Sequence, residues 1–453
     1  MKFYPGNWLY NAGVIGFLKV LKSCGKNVEK FLKDDGSVEI DEIVIKEVFT
    51  SKSRKPPPLD KLKLWHECLL NNTFEWAYSS IEDYVKSQLG RIKSGSQKSQ
   101  VIKSIIDTNL NFESISFDDE IKKVKEILKD VDKNISDAQI INKAKKVEEV
   151  IKPKEHFYRY RKSIGFLFSS GCFYQNLFNP SQFKKIDKFL EKFKYEDLFK
   201  NSSSNLKCCF CAEDKYEITP VDLQYMSYLF PATSFLNTYW NLNDKSATFI
   251  CDMCKFLTFH HHLALIKLSD NSEIFINAPS FKVMWYLNKY AGEIYSKEQA
   301  KTTEEILGMS LIQMTTKLNL TLHRWTSMNI EVVSKYRVKK ENNKWEDKIE
   351  FFSLPSEIVQ VLSDIKIASS LNRIGEFKIL NMVLDGKFKE ILELSERVFR
   401  IAIKPPNEWG KHEKKFINEN IKLDRNKGNL NSFCQNLFNL YALLEAHRKG
   451  AIS

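Results

Sequence analysis

The sequence predicts an α+β protein. A mixed α/β N-terminal region would span 1–355 and carry a zinc-knuckle insertion at about 205–265, and a helical bundle would fill 356–453. Three observations point there. Between Ile330 and Phe352, two alternating segments (IEVVSKYRV and WEDKIEFF) flank a polar stretch with Asn342-Asn343, a strand–turn–strand pattern. From Ser356 onward, apolar residues recur at helical spacing. Two C-x-x-C pairs, Cys208/Cys211 and Cys251/Cys254, bracket a strongly apolar and aromatic stretch.

Taken in order, Val14, Ile15, Phe17, Leu18 and Leu21 follow helical spacing, with Asn11 and Gly25 as candidate caps. Gly13 and Gly16 lie about one turn apart, which would admit a second backbone. Val38–Phe49 alternates and predicts a strand, and Pro56–Pro58 predict a rigid loop. Gly90–Gln100 is polar and rich in Gly and Ser, a candidate flexible segment. Residues 115–152 read as charge-laced amphipathic helices, and Phe183–Phe199 as another. After Pro355, helices are expected over Glu357–Ser370, Gly375–Leu384, Lys387–Ala402 and Leu430–Lys449, a small bundle with short connections.

The net charge is +12, from 69 basic and 57 acidic residues. A surplus of this size suits a polyanionic partner, nucleic acid first, although a Lys-rich composition inherited from an AT-rich genome would also give it. Nine cysteines at irregular spacing in so long a chain argue against a disulfide framework and for a reducing compartment. The N-terminal apolar stretch follows Pro5, Gly6 and Asn7, is broken by Lys19 and has no small-residue cleavage site, so no signal peptide is read there. No apolar run reaches the roughly 18 residues needed to cross a bilayer. A cytoplasmic protein without a membrane partner is expected.

The sharpest constellation is the four cysteines Cys208, Cys211, Cys251 and Cys254. Zn²⁺ favours four soft ligands in a tetrahedron, and each C-x-x-C turn aims two thiolates at one ion. One structural zinc per chain is expected, in a closed site with no position left for catalysis. The gap of 39 residues between the pairs is longer than in the commoner zinc ribbons. An iron–sulfur cluster, a redox dithiol and unligated buried thiols therefore stay open, and Cys209 reads as a bystander. His260, His261 and His262 follow at once. On a strand, His260 and His262 would share a face and could replace a cysteine ligand or touch phosphate, or all three could pack.

The segment HFYRYRK, His156–Lys162, interleaves aromatics with cations. If extended, it would place Phe157, Arg159 and Arg161 on one face and Lys162 on the other. Arg159, Arg161 and Lys162 are thus candidate nucleic-acid contacts, beside the alternative of an ordinary edge strand, with Arg91 and Lys93 as further candidates. No nucleotide-binding loop, zinc-protease helix or nucleophile elbow is present, so no enzyme is expected.

Four features occur together in order: NWLYNAGVIGFLKVL (Asn7–Leu21), FYQNLFNP (Phe173–Pro180), the paired C-x-x-C motifs and the helical C-terminus. In these the chain resembles the CXXC-CXXC family of CRISPR-associated proteins, the large subunit of the type I-B Cascade surveillance complex. The resemblance implies a non-catalytic role in antiviral defence. Such a subunit recognises the protospacer-adjacent motif in duplex DNA, aids strand opening and holds the displaced strand. The partners implied are the crRNA 5′ end, the crRNA-guided backbone subunits, the target double-stranded DNA and a recruited helicase-nuclease. A separate small subunit made by internal translation of the C-terminal region is also implied, with Met309 or Met328 as its start. The competing readings are a zinc-dependent nuclease using His260 and His262, and a zinc-stabilised nucleic-acid-binding module outside CRISPR.

Overall fold

The structure is a computed structural model. It describes residues 1–107, 110, 115–167, 198, 207–208, 210–213, 218–221, 248–268, 272–297, 303–318, 330–339 and 345–450. The motif Phe173–Pro180, the helix expected over Phe183–Phe199, Cys209 and Met328 lie outside these residues. The described residues are mostly helical with a few strands, an α+β composition, and they divide into two units.

The first unit holds Met1–Leu32 and Glu39–Ala264. After a short strand β1 (Lys2–Phe3), helix α1 (Trp8–Ser23) is buried along almost its whole length. Its N-cap is Asn7, whose Oδ1 accepts the Tyr10 N–H at 3.0 Å. Asn11, expected as the cap, sits one turn inside. It clamps Gly6 instead, accepting its N–H at 2.8 Å and donating to its carbonyl at 2.9 Å. Gly25 follows the C-cap at φ +81°, as expected.

Strand β2 covers only Val38–Glu39, and the alternation beyond it is helical. The Asp41 carboxylate accepts the Ile43 N–H and starts α2 (Glu42–Thr50), which buries Ile45, Val48 and Phe49. A capping aspartate thus overrides the two-residue period expected there. Helices α3 (Leu64–Tyr78), α4 (Ile81–Lys93), α5 (Lys98–Ile105), α6 (Asp118–Ile127), α7 (Asp137–Ile151) and α8 (Glu155–Leu167) follow. Most of Gly90–Gln100, expected to be flexible, is helix: α4 runs to Lys93 and α5 begins at Lys98, because Leu89, Ile92 and Val101 are buried. The helices expected over 115–152 are α6 and α7, the latter opened by a capping box between Ser136 and Gln139. The unit closes with the antiparallel strands β3 (Ile218–Val221) and β4 (Thr248–Cys251), then α9 (Asp252–Thr258) and a 3₁₀ turn over His261–Ala264.

The second unit holds Lys33–Val38 and Leu265–Ser453. Strands β5 (Ile266–Lys267), β6 (Glu273–Asn277), β7 (Glu331–Lys339) and β8 (Trp345–Ser353) form one antiparallel sheet in that order. The expected strand pair is the β7–β8 ladder, in register from Glu331 opposite Ser353 to Lys339 opposite Trp345. Two helices, α10 (Phe281–Lys297) and α11 (Thr303–Leu318), precede that pair. Asn288 on α10 bonds both backbone groups of Ile276 on β6, at 2.9 and 2.7 Å.

The C-terminal helices are α12 (Ser356–Ser363), α13 (Ile365–Ile374), α14 (Phe377–Leu384), α15 (Phe388–Ala402), α16 (Lys411–Asn420), α17 (Asp424–Gly428) and α18 (Leu430–Arg448). The helix expected over Glu357–Ser370 is two, since Asp364 caps a new one by accepting the Lys366 and Ile367 N–H groups. Expectation passed over α16 and α17. The buried Glu376 carboxylate holds the turn between them, accepting the Lys422 and Leu423 N–H groups at 3.0 and 2.9 Å.

The units divide between Ala264 and Leu265, upstream of the Pro355 boundary expected from composition. Helix α11 explains the difference. Thr315 donates to the Leu362 carbonyl, and a Cβ on Gly308 would meet Leu380 and Leu384 of α14 at 3.4 and 3.2 Å. The C-terminal helices therefore share a core with residues before Pro355. Met309 lies inside α11, so a chain starting there would begin mid-helix and lack the buried Ile306 and Leu307.

Candidate metal centre

The first cysteine pair forms a tight turn. The Cys208 N–H donates to the Glu213 carbonyl, the Ala212 N–H donates back to the Cys208 carbonyl, and Ala212 takes φ +60°. Cys208 Sγ accepts the Phe210 N–H at 3.4 Å and the Cys251 N–H at 3.3 Å. The second pair is built at a strand–helix junction. β4 ends on Cys251, whose Sγ accepts the Cys254 N–H at 3.4 Å and so caps α9. Register brings the ends together, with Ile218 of β3 opposite Cys251.

All four sulfurs lie within 4.8 Å of one another, with Cys211 Sγ 3.8 Å from Cys251 Sγ. A tetrahedron with metal–sulfur bonds of about 2.3 Å has an edge of about 3.8 Å, so the spacing fits one ion. Cys208, Cys251 and Cys254 are buried and Cys211 is half-buried. Backbone N–H groups aimed at Cys208 and Cys251 favour thiolates there. Hydrogen bonds from the thiols of Cys211, Cys251 and Cys254 draw the Cys208 thiol down, while burial pushes the Cys254 thiol up. Four thiols this close cannot all ionise without a cation between them. Among the described residues, no other group of three or more His, Cys, Asp or Glu converges in this way.

Helix α1 braces the cluster. Tyr10 is buried beside it with its ring 6.4 Å from Phe210, and burial together with the four thiols pushes its phenol well above the usual range. Gly13 and Gly16 admit the segment after the second knuckle: a Cβ would meet the Leu257 carbonyl oxygen at 2.6 Å from Gly13 and the His260 carbonyl oxygen at 2.0 Å from Gly16. The close approach expected from the glycine spacing is therefore made by α9 and the turn that follows it.

The three histidines pack in the core. His260 Nδ1 donates to the Phe256 carbonyl at 2.9 Å, and its Nε2 accepts the Trp65 indole N–H at 3.0 Å. Burial lowers the His260 pKa to about 3, so the ring is neutral. His262 Nε2 pairs with the Thr73 hydroxyl at 3.0 Å, and His261 Nδ1 with the Thr258 carbonyl at 2.9 Å. They sit in a helix end and a 3₁₀ turn, not on a strand face.

The basic segment is also not a strand, since His156–Lys162 lies in α8. The Arg159 guanidinium pairs with Glu155 at 2.7 Å and lies 4.7 Å from the Phe74 ring centroid. The half-buried Lys162 ammonium lies over the Tyr84 and Tyr158 rings and donates to the Ser104 carbonyl, and desolvation lowers its pKa to about 8. Burial likewise lowers the Arg161 pKa. The alternation that suggested two faces is a helix wedged between neighbours. Arg91 and Lys93 are exposed on α4, with Arg91 bonded to Gln88 at 3.1 Å and Lys93 paired with Asp137 at 2.7 Å.

Sequence reasoning found the four candidate ligands but missed Tyr10, which lies beside them on α1, and Trp65 and Thr73 on α3, which hold His260 and His262. Their only sequence signal was polar-tipped bulk inside apolar helical stretches. Among the described residues, no helix is long and apolar enough to cross a membrane. No protein-family model, curated protein or solved structure matches this chain.

Proposed function

We propose that this protein is the non-catalytic large subunit of a type I-B CRISPR surveillance complex. In this reading it recognises the protospacer-adjacent motif in duplex DNA, aids its opening and holds the displaced strand. One observation carries the reading. The N-terminal motif Asn7–Leu21 and the second C-x-x-C, far apart in sequence, meet through Gly13, Gly16 and Tyr10. Two of the features that gave the resemblance, the N-terminal motif and the paired C-x-x-C, thus belong to one packing unit, which gives those two a reason to occur together. The metal is zinc, one per chain, held by Cys208, Cys211, Cys251 and Cys254, and its role is to close the fold. In this reading the exposed cations Arg91 and Lys93 are the first candidates for DNA contact, ahead of the half-buried Arg159, Arg161 and Lys162, of which Arg159 pairs with Glu155 and Lys162 donates to the Ser104 carbonyl.

The test is reconstitution. Backbone subunits carrying a guide RNA are assembled with and without the full chain, and binding to a duplex target is measured with the adjacent motif intact and scrambled. Motif-dependent binding only with the chain present is expected. Equal binding without it overturns the reading. Metal-dependent DNA cleavage by the chain alone would favour the nuclease instead. Metal analysis of the purified chain should give about one zinc, and visible absorption from an iron–sulfur cluster would overturn that assignment.

A further inference from the structure

A groove with a volume of about 630 Å³ lies between α13 and α18 of the second unit. The two helices pack on each other, and each gives the groove one stripe of side chains. Lys366, Ser369, Ser370 and Arg373 recur at i, i+3, i+4 and i+7 along α13 and so share a face. Asn436 and Asn439, at i and i+3, line the opposite wall from α18. No carboxylate and no aromatic ring lines the groove. Among the described residues, none of these six side chains has a hydrogen bond or ion pair. Lys366 and Arg373 bond through the backbone alone: the Lys366 N–H donates to Asp364, and the Arg373 carbonyl accepts from Arg425. The neighbouring carboxylates along the two helices are engaged elsewhere. Asp364 caps α13, and Glu445 pairs with Arg448 at 2.8 Å.

We infer that this groove binds the sugar–phosphate backbone of a single-stranded nucleic acid, whatever its bases. Two cations with no carboxylate beside them attract a polyanion, and phosphate oxygens are strong acceptors for Arg and Lys. The two hydroxyls and two amides supply further donors for phosphate and sugar oxygens. From Lys366 to Arg373 the helix rises about 10 Å, at about 1.5 Å per residue, so the two charges meet different phosphates of one strand. Packed helices lie about 8–10 Å apart, so a furrow between two of them seats one strand and not a duplex. With no ring to stack on, the bases stay in solvent and no sequence preference arises.

The inference does not rest on the functional reading above, which places its first candidates for DNA contact in the other unit. It stands on the composition of the groove, and the chain alone is enough to test it. Two phosphate contacts contribute a log–log salt slope of about −1.4, at about −0.7 for each contact with a single strand.

The full chain is titrated into a fluorescent oligothymidylate of roughly 15 nucleotides, and anisotropy is followed at several salt concentrations. Lys366→Ala with Arg373→Ala should weaken binding about tenfold near 0.1 M salt and flatten the slope by about 1.4. Asn436→Asp with Asn439→Asp keeps both cations but sets two carboxylates on the opposite wall, and should weaken binding at least as much. Lys389→Ala with Lys414→Ala removes two exposed cations outside the groove and should leave affinity and slope close to the parent's. All of these side chains are exposed or half-buried, so the variants should melt with the parent, which separates lost binding from lost folding. An abasic strand of the same length should compete as well as the oligothymidylate, and a duplex poorly. Unchanged binding in either groove variant overturns the inference, as does an equal loss when Lys389 and Lys414 are replaced. So does a duplex that competes as well as the strand, or an abasic strand that fails to compete.

Discussion

The two units are held together in opposite ways. The first is closed by contacts between distant segments: Trp65 with His260, Thr73 with His262, Lys19 with the Leu263 carbonyl, and the two cysteine pairs. In the second, the corresponding ties span fewer residues than the Trp65–His260 and Thr73–His262 pairs: β7 lies against β8, Asn288 against Ile276, 12 apart, and Glu376 against the turn at Lys422, 46 apart. Long-range closure needs a strong tie because it must offset the entropy of bringing far segments together. A metal held by the four cysteines would supply such a tie in one step, whereas apolar burial accumulates it in small pieces. The units should therefore respond differently to the same perturbations, and peptide-resolved hydrogen exchange can read them separately.

The largest difference is expected from the metal ligands. Cys251→Ser with Cys254→Ser removes two of the four candidate ligands, and the binding of a structural zinc, as proposed above, would be folding free energy on the order of 10 kcal/mol. Protection should be lost throughout the first unit and kept in the second, and chelation should do the same to the parent chain. Equal protection in both units after ligand loss would break the comparison.

Glycine substitution comes next. Gly16→Ala sets a Cβ 2.0 Å from the His260 carbonyl oxygen. Neither backbone can yield easily, so a loss of roughly 3 kcal/mol is expected. Gly292→Ala, on α10 of the second unit, meets nothing within 4 Å and should gain about 0.5–1 kcal/mol. Denaturant midpoints of the two variants should move in opposite directions.

Acid should act on the first unit at a similar scale. Burial lowers the pKa of His260 and of His66 to about 3 in the folded chain. Unfolded histidine titrates near 6.5, so the unfolded chain binds the extra protons. The contribution is intact above about pH 6.5 and is lost as pH falls toward 3, by about 3 kcal/mol for the pair at pH 5.5. The midpoint of the first unit should fall between pH 7 and 5.5. His260→Gln should flatten that slope by about half, and an unchanged slope would show that His260 protonates freely.

Smaller effects separate structural from surface cations. Arg159→Ala loses the Glu155 pair and the packing on Phe74, and should cost about 1–2 kcal/mol in the first unit. It should leave target binding by the reconstituted complex unchanged at several salt concentrations. Lys415→Ala in the second unit breaks only an exposed pair with Glu419 at 3.7 Å and should change stability by less than about 0.5 kcal/mol.

Much of the second unit could be read directly. The hairpin partners Glu331–Lys339 and Trp345–Ser353 alternate, and Phe388–Ala402 and Leu430–Arg448 carry helical stripes, because each element's burial pattern is written in its own residues. Misreadings came where two periods fit a short segment. Val38–Phe49 and His156–Lys162 alternate and are nevertheless largely or wholly helical, as Asp41 caps the one and the surroundings of Phe157, Tyr158 and Tyr160 bury the other.

By itself, the sequence determined the four ligands and the glycine pair, since C-x-x-C geometry and the absence of a Cβ act over a turn or less and need no knowledge of the rest of the chain. Only the tertiary structure decided what they meet. Gly16 faces His260, Tyr10 lies beside the thiols, and Arg159 and Lys162 of α8 lie half-buried over the rings of Phe74 and Tyr84. Those pairings depend on which distant helices share a core, and that is set by the summed burial of the whole unit, which no single segment encodes.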